Sequence, residues 1–167
     1  MILTGPEVQR EVRAGRIIIE PFAEDQINPN SYNYRLGPHL VIIGAGGVPM
    51  NTTLDLTTGP ITLLPKLTYL GHTSETIGSI HYVTILNGRS SMGRLGMFLN
   101  FSADLGQLGP AHQWTLEIKV VQPLTVYPLM KVGQATFWVT QGRRVEYQGE
   151  YAHRNEPTPS LKAHWRQ

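Results

Sequence analysis

Short β-prone runs limit what this chain can fold into more than any other feature. They recur at residues 40–43, 53–56, 61–64, 69–70, 82–86 and 97–101, each broken by Gly, Pro or Asn. A chain interrupted this often cannot build long helices, and strands this short are stable only when paired with several neighbours. Near-regular spacing with turn punctuation predicts an all-β barrel or sandwich. Two stronger strand patterns follow, at 114–121 and 135–140.

The N-terminal end departs from that pattern. Residues 4–13 carry a helix signal: Thr4 in capping position, Pro6 in the first turn, and Glu7 completing a Thr-x-x-Glu capping box. Leu3 and Val8 stand at staple positions, Val8 and Val12 share a face, and Gly15 supplies a stop. A short apolar strand is expected at 17–19. In 31–36 the residues alternate, placing Tyr32, Tyr34 and Leu36 on one face and Arg35 on the other. Arg35 there reads as a buried anchor rather than a surface residue. Residues 44–47 form a glycine turn, and 156–160 (E-P-T-P-S) open a polar tail with little regular structure. One helix, many strands and one domain spanning 1–167 is the expectation.

Composition removes several classes of chemistry. With 167 residues the chain can bury a sizeable core. Lys and Arg (14) nearly balance Asp and Glu (12), and no basic stripe appears, so nothing calls for nucleic acid or a membrane surface. Charged residues make up 16%, below the roughly 25% usual for soluble domains. Either an oligomer hides part of the surface, or the exterior is polar but uncharged. There is no cysteine, which excludes disulfides, thiolate nucleophiles and Cys-ligated metals. The six histidines (His39, His72, His81, His112, His153 and His164) lack ligand spacing, and no metal site is expected. No apolar run reaches the ~18 residues a membrane helix needs, and no leader pattern opens the chain, so a soluble cytoplasmic protein is expected.

Residues 87–96 read N-G-R-S-S-M-G-R-L-G. Arg89 and Arg94 flank the hydroxyls of Ser90 and Ser91, with glycines on both sides that let backbone approach a ligand. Such a loop can receive phosphate or a polarised base; it can equally be a polar turn between strands. Glu117 follows in the run W-T-L-E-I-K-V-V, a carboxylate on a strand that can lie beside the loop.

Together with S-Y-N-Y-R-L-G at 31–37, Y-P-L-M-K-V-G-Q at 127–134 and the tail from Gly149, this G-R-S-S-x-x-R-L-G motif resembles the dCTP deaminase branch of the dUTPase-like superfamily. The resemblance covers essentially the whole chain. It implies a distorted dUTPase-like β-barrel (β-clip) with a short N-terminal helix, assembled as a homotrimer. It further implies active sites between neighbouring subunits, and a tail (143–167) that covers the nucleotide. By position, Glu117 falls on the family's catalytic glutamate, and Ser90 and Arg94 on the serine and arginine that accompany it. Arg89, Ser91, Ala103, Gln107, Tyr147, Glu150 and Arg154 fall on substrate-binding positions.

The chemistry of these residues is self-consistent. Deamination of cytosine needs a water at C4, a proton at N3 and release of ammonia, and one carboxylate can serve as base and then acid. Ser90 can hold the water, and an adjacent guanidinium from Arg94 favours the ionised carboxylate. Zinc deaminases instead use His-x-Glu followed by Pro-Cys-x-x-Cys, which a chain without cysteine cannot build. No cofactor is expected for the chemical step, with Mg²⁺ entering only as counter-ion of a triphosphate.

Four departures from the family pattern involve five positions. Gln107 stands where an aspartate holds the sugar 3′-hydroxyl, and being neutral it cannot act as a base; Asp104 lies three residues away. Glu150 and Arg154 stand where a lysine and a glutamine grip phosphate, and a carboxylate there repels triphosphate. Asn33 replaces an aspartate, and His112 a glycine. The expected activity is therefore metal-independent deamination of a cytosine (deoxy)nucleotide, with altered sugar or phosphate preference. The alternatives are a deaminase of a modified or less phosphorylated cytidine in specialised metabolism, a dUTPase-like diphosphohydrolase, or a non-catalytic nucleotide-binding trimer.

Overall fold

The computed structural model describes residues 1–44, 47–100 and 103–162. Helix α1 (Gly5–Arg13) opens the chain, followed by β1 (Ile18–Glu20), β2 (Ile27–Asn28), β3 (Ser31–Arg35), β4 (His39–Ile43) and β5 (Pro49–Asp55). Then come β6 (Ile61–Leu63), β7 (Thr68–Ser79), β8 (Tyr82–Gly88), helix α2 (Ser90–Arg94) and β9 (Met97–Leu99). The series closes with β10 (Gly109–Val120), β11 (Leu124–Val126) and β12 (Lys131–Val139). Three antiparallel sheets result: β5-β4-β7-β10-β9 with β1 also on β7, β2-β3-β12-β8, and the pair β11-β6. They wrap one apolar cluster, as expected of a distorted all-β barrel.

The alternation at 31–36 holds: Tyr32, Tyr34 and Leu36 are wholly buried. Arg35 is indeed an anchor. Its Nε–H donates to Glu75 Oε1 at 2.6 Å and its backbone N–H to Glu75 Oε2 at 2.9 Å, tying β3 to β7 around a carboxylate with no exposure. Gln26 donates to the same carboxylate at 3.2 Å. Breaking such a pair strands a buried charge, at a typical cost of about 3–5 kcal/mol. Asn33 lies buried within β3, away from the site described below.

Helix α1 forms where expected, with Leu3 and Val8 buried and Gly15 in a left-handed stop (φ +69°). The capping box does not form. Thr4 makes no side-chain cap bond, and Glu7 pairs with Arg10 instead. What fastens the helix is buried Glu11, which accepts two bonds of 2.6 Å from Arg16 and one of 2.8 Å from the Tyr82 hydroxyl on β8. The Arg16 guanidinium draws its pKa down to about 2, against the opposing push of burial.

Three further expectations need correction. The 69–70 run is the start of a twelve-residue strand, because the polar residues after it find partners inside the sheet. His72 and Thr73 are buried there with Glu75, and burial lowers the His72 pKa. The 87–96 segment is not a plain turn: β8 runs to Gly88 and a second, five-residue helix follows, so the chain has more than one helix. The 97–101 strand ends at Leu99, with Phe101 outside the described residues. The centre of the 44–47 turn, His164 and the last residues of the tail also lie outside them.

Candidate active site

The pleat of β10 separates two faces. Leu116, Ile118 and Val120 point into the core, so Thr115, Glu117 and Lys119 share the outward face. There they line a cavity of about 700 Å³. Its upper part depends on two irregularities in the β10–β7 register, between Gly109 and His112 and between Gln113 and Thr115. Bulges re-aim side chains and free ladder groups. Here the freed N–H of Trp114 is taken up by Thr73 Oγ1 at 2.9 Å, and the indole N–H reaches Ile77 O at 2.8 Å. The six-membered ring of Trp114 then lies against Gly106, where a Cβ would come within 2.6 Å of it; glycine is the residue that fits.

The tail forms the remaining wall. Tyr147 N–H donates to Leu108 O at 2.7 Å and brings the chain back across β10. Gln113 N–H, the other freed donor, bonds Asn155 Oδ1 at 2.9 Å. His112 Nδ1–H donates to Gln113 O at 2.9 Å and to Arg154 O at 3.1 Å, while its ring packs on Trp114 with centroids 4.4 Å apart. Thr158 N–H donates to Thr115 Oγ1 at 3.1 Å. Polar as it is, the tail is tied down at four points, three on the strand that carries Glu117 and one at Leu108 just before it.

Of the residues singled out from sequence, Glu117, Gln107, Tyr147 and Arg154 line this cavity together. Arg89 and Ser90 line a second, smaller hollow of about 370 Å³ with Gly93, Phe98 and Gln134. Ser91, Arg94, Ala103 and Glu150 are exposed and line neither. The Arg89 guanidinium bonds Lys131 O at 3.2 Å, and Glu150 offers only its carbonyl, to Arg154 Nε at 3.4 Å. Among the described residues, the carboxylate of Glu117, the hydroxyl of Ser90 and the guanidinium of Arg94 make no hydrogen bond or ion pair. Within one chain Glu117 faces the larger cavity and Ser90 the smaller hollow, while Arg94, on the same helix as Ser90, lines neither.

Sequence reasoning passed over Thr115 and Lys119, which the period-2 pattern around Glu117 already placed on its face. It noted His112 only as a departure; the fold makes it a tail contact. Tyr151 and Thr158 had no signal beyond a polar tail. Among the described residues no group of three or more His, Asp or Glu is placed to hold a metal ion, and no helix is long and apolar enough to cross a membrane.

The structure is an all-β barrel with a carboxylate on the face of a long strand, beside a cavity closed by the tail. A family model described as dCTP deaminase-like matches residues 2–140. The chain belongs to the dCTP deaminase-like family. It is 39% identical to a dCTP deaminase of Rhodopirellula baltica over 168 residues, covering 96% of this chain and 84% of that one. It is 38% identical to a "dCTP deaminase, dUMP-forming" of Clostridium beijerinckii, covering 96% of each. In fold it matches the crystal structure of 2′-deoxycytidine 5′-triphosphate deaminase from Agrobacterium tumefaciens with a TM-score of 0.65 at 22% identity. That match covers 83% of this chain and 48% of the other, so this chain spans about half the length of that one.

Proposed function

We propose that the protein hydrolytically deaminates a cytosine deoxynucleotide of the dCTP type, giving the uracil nucleotide and ammonia. The observation that carries this reading is Glu117: a half-buried carboxylate with no side-chain partner among the described residues, aimed into a cavity walled by Gln107, Tyr147 and Arg154. Glu117 takes a proton from water as its oxygen adds to C4, and passes a proton to N3. It then takes the proton of the new C4 hydroxyl and delivers it to N4, so that C4=O forms as the C4–N4 bond breaks and ammonia leaves. Ser90 holds the attacking water and Arg94 pairs with Glu117.

Because Ser90 and Arg94 stand apart from Glu117 within one chain, the reading needs a second copy to supply them. A homotrimer with three sites between subunits does so, each with Glu117 and the tail of one copy facing α2 of the next. The chain then acts as one domain, 1–167, with 143–167 as the nucleotide-covering tail. The chemical step runs on these side chains, with Mg²⁺ as phosphate counter-ion, in the cytoplasm where nucleotides are made.

The names of several relatives favour a second reading, in which diphosphate is also released to give the monophosphate. Gln107 weighs against it, since an amide cannot activate a second water. Incubation with dCTP and measurement of ammonia and pyrophosphate separates the two. Ammonia alone supports deamination, both products support the coupled reaction, and neither product overturns both. Glu117→Gln should lower ammonia release by about 10³-fold or more with assembly unchanged; normal turnover in that variant would remove Glu117 from the mechanism.

A further inference from the structure

We infer that Asn100 is a positioning residue for the catalytic carboxylate; this rests on the assignment of Glu117 as general base. Strand β9 pairs with β10 through Met97↔Val120, Phe98↔Lys119 and Leu99↔Ile118, so the next pair in register is Asn100 with Glu117. An ordinary antiparallel pair exchanges two main-chain bonds. Here only one is made in that way, Asn100 N–H to Glu117 O at 3.1 Å. The other half is supplied by a side chain: Glu117 N–H donates to Asn100 Oδ1 at 2.8 Å. The Asn100 carbonyl is thereby released to accept Ala103 N–H at 3.3 Å, and the chain turns away from the sheet. Glu117 keeps both main-chain groups bonded on this edge at the point where its neighbouring strand departs.

Three demands meet at position 100. The backbone is left-handed (φ +45°), which Asn and Gly tolerate best. The side chain is buried and must present an acceptor at short reach. It must also be neutral, because a charge beside Glu117 shifts the proton affinity on which base and acid catalysis depend. Asparagine meets all three. Glycine keeps the turn and loses the acceptor, and aspartate keeps turn and acceptor but adds charge. Glu117 has no side-chain partner among the described residues, and this clamp sets where the carboxylate starts from. It also references Glu117 to β9, and through β9 to α2 three residues upstream.

The test compares Asn100→Gly, Asn100→Asp and Glu117→Gln in the full-length enzyme. Asn100→Gly is expected to leave assembly intact and KM within about twofold while kcat falls about 10- to 100-fold, the size of effect that misplacing a reacting group by an ångström produces. Asn100→Asp is expected to recover most of that kcat at high pH, with the acid limb of the pH–kcat profile moved upward. Wild-type kcat in Asn100→Gly, or equal loss and an unshifted profile in both variants, overturns the inference while an inactive Glu117→Gln leaves the function standing. If the wild-type enzyme releases no ammonia, amide exchange at Glu117 decides the clamp by itself. Protection that is lost in Asn100→Gly and kept in Asn100→Asp supports it, and unchanged protection in both refutes it.

Discussion

The strip of β10 from His112 to Glu117 and the helix α2 both present polar side chains to a hollow, but their supports differ. On β10 the main chain is held by Thr73 from β7, by Asn100 beyond β9 and by Asn155 from the tail, so that few polar groups are left to choose a partner. On α2, a five-residue helix with glycine at its fourth position, Arg89 is committed to Lys131 O while Ser90, Ser91 and Arg94 stand exposed. The β10 strip is organised inside the chain. The polar groups of α2 are presented outward, as the proposed trimer requires.

The largest expected effect tests that division directly. Glu117→Gln and Arg94→Met proteins should each be nearly inactive, yet subunits mixed 1:1 by refolding should regain activity. If each site takes Glu117 from one copy and Arg94 from the next, about one site in four has both groups intact, and the rate should rise to about a quarter of wild type. Activity that stays at background would mean that both groups act within one chain, and the two-halves picture would fail.

Stability should separate the same two regions. Thr73→Val leaves the buried N–H of Trp114 without an acceptor, an expected cost of about 1–3 kcal/mol. For a chain this size, Tm should fall by about 3–10 °C. Ser91→Ala on α2 should stay within about 0.5 kcal/mol, as exposed positions do. Equal losses in thermal melts would show that α2 is braced as firmly as β10.

Sequence made the apolar half of this architecture legible and much less of the polar half. Tyr32, Tyr34 and Leu36 announce a strand by alternation, and Leu116, Ile118 and Val120 fix which way Glu117 faces. Strand β7 was hidden because Thr73 and Glu75 read as a polar loop until Arg35, Gln26 and the β10 bulge are known to satisfy them. A polar residue in a strand core is allowed by a partner dozens of positions away, and no local pattern records that partner. Asn100 is the same case at the site itself: one amide among several in the sequence, given its meaning by a register found only in three dimensions. Helix α2 is too short to show a period, and the bulges that aim His112 and Gln113 have no local signature.

The smallest effect concerns the boundary between strip and tail. Asn155→Ala removes the acceptor of Gln113 N–H at an exposed position, where water can take its place, so global Tm should not move. The tail itself should open more often. Losing one such bond, worth about 1 kcal/mol, raises the open population about fivefold. Tryptic cleavage after Arg154, measured without nucleotide, should accelerate by that factor, and His112→Gly, which loses the Arg154 carbonyl contact, should add to it. Saturating nucleotide should then erase the difference if the tail closes over bound substrate. Cleavage at the wild-type rate in both variants would mean that Thr115 and Leu108 hold the tail without them, and that the braced region extends past β10 into the tail.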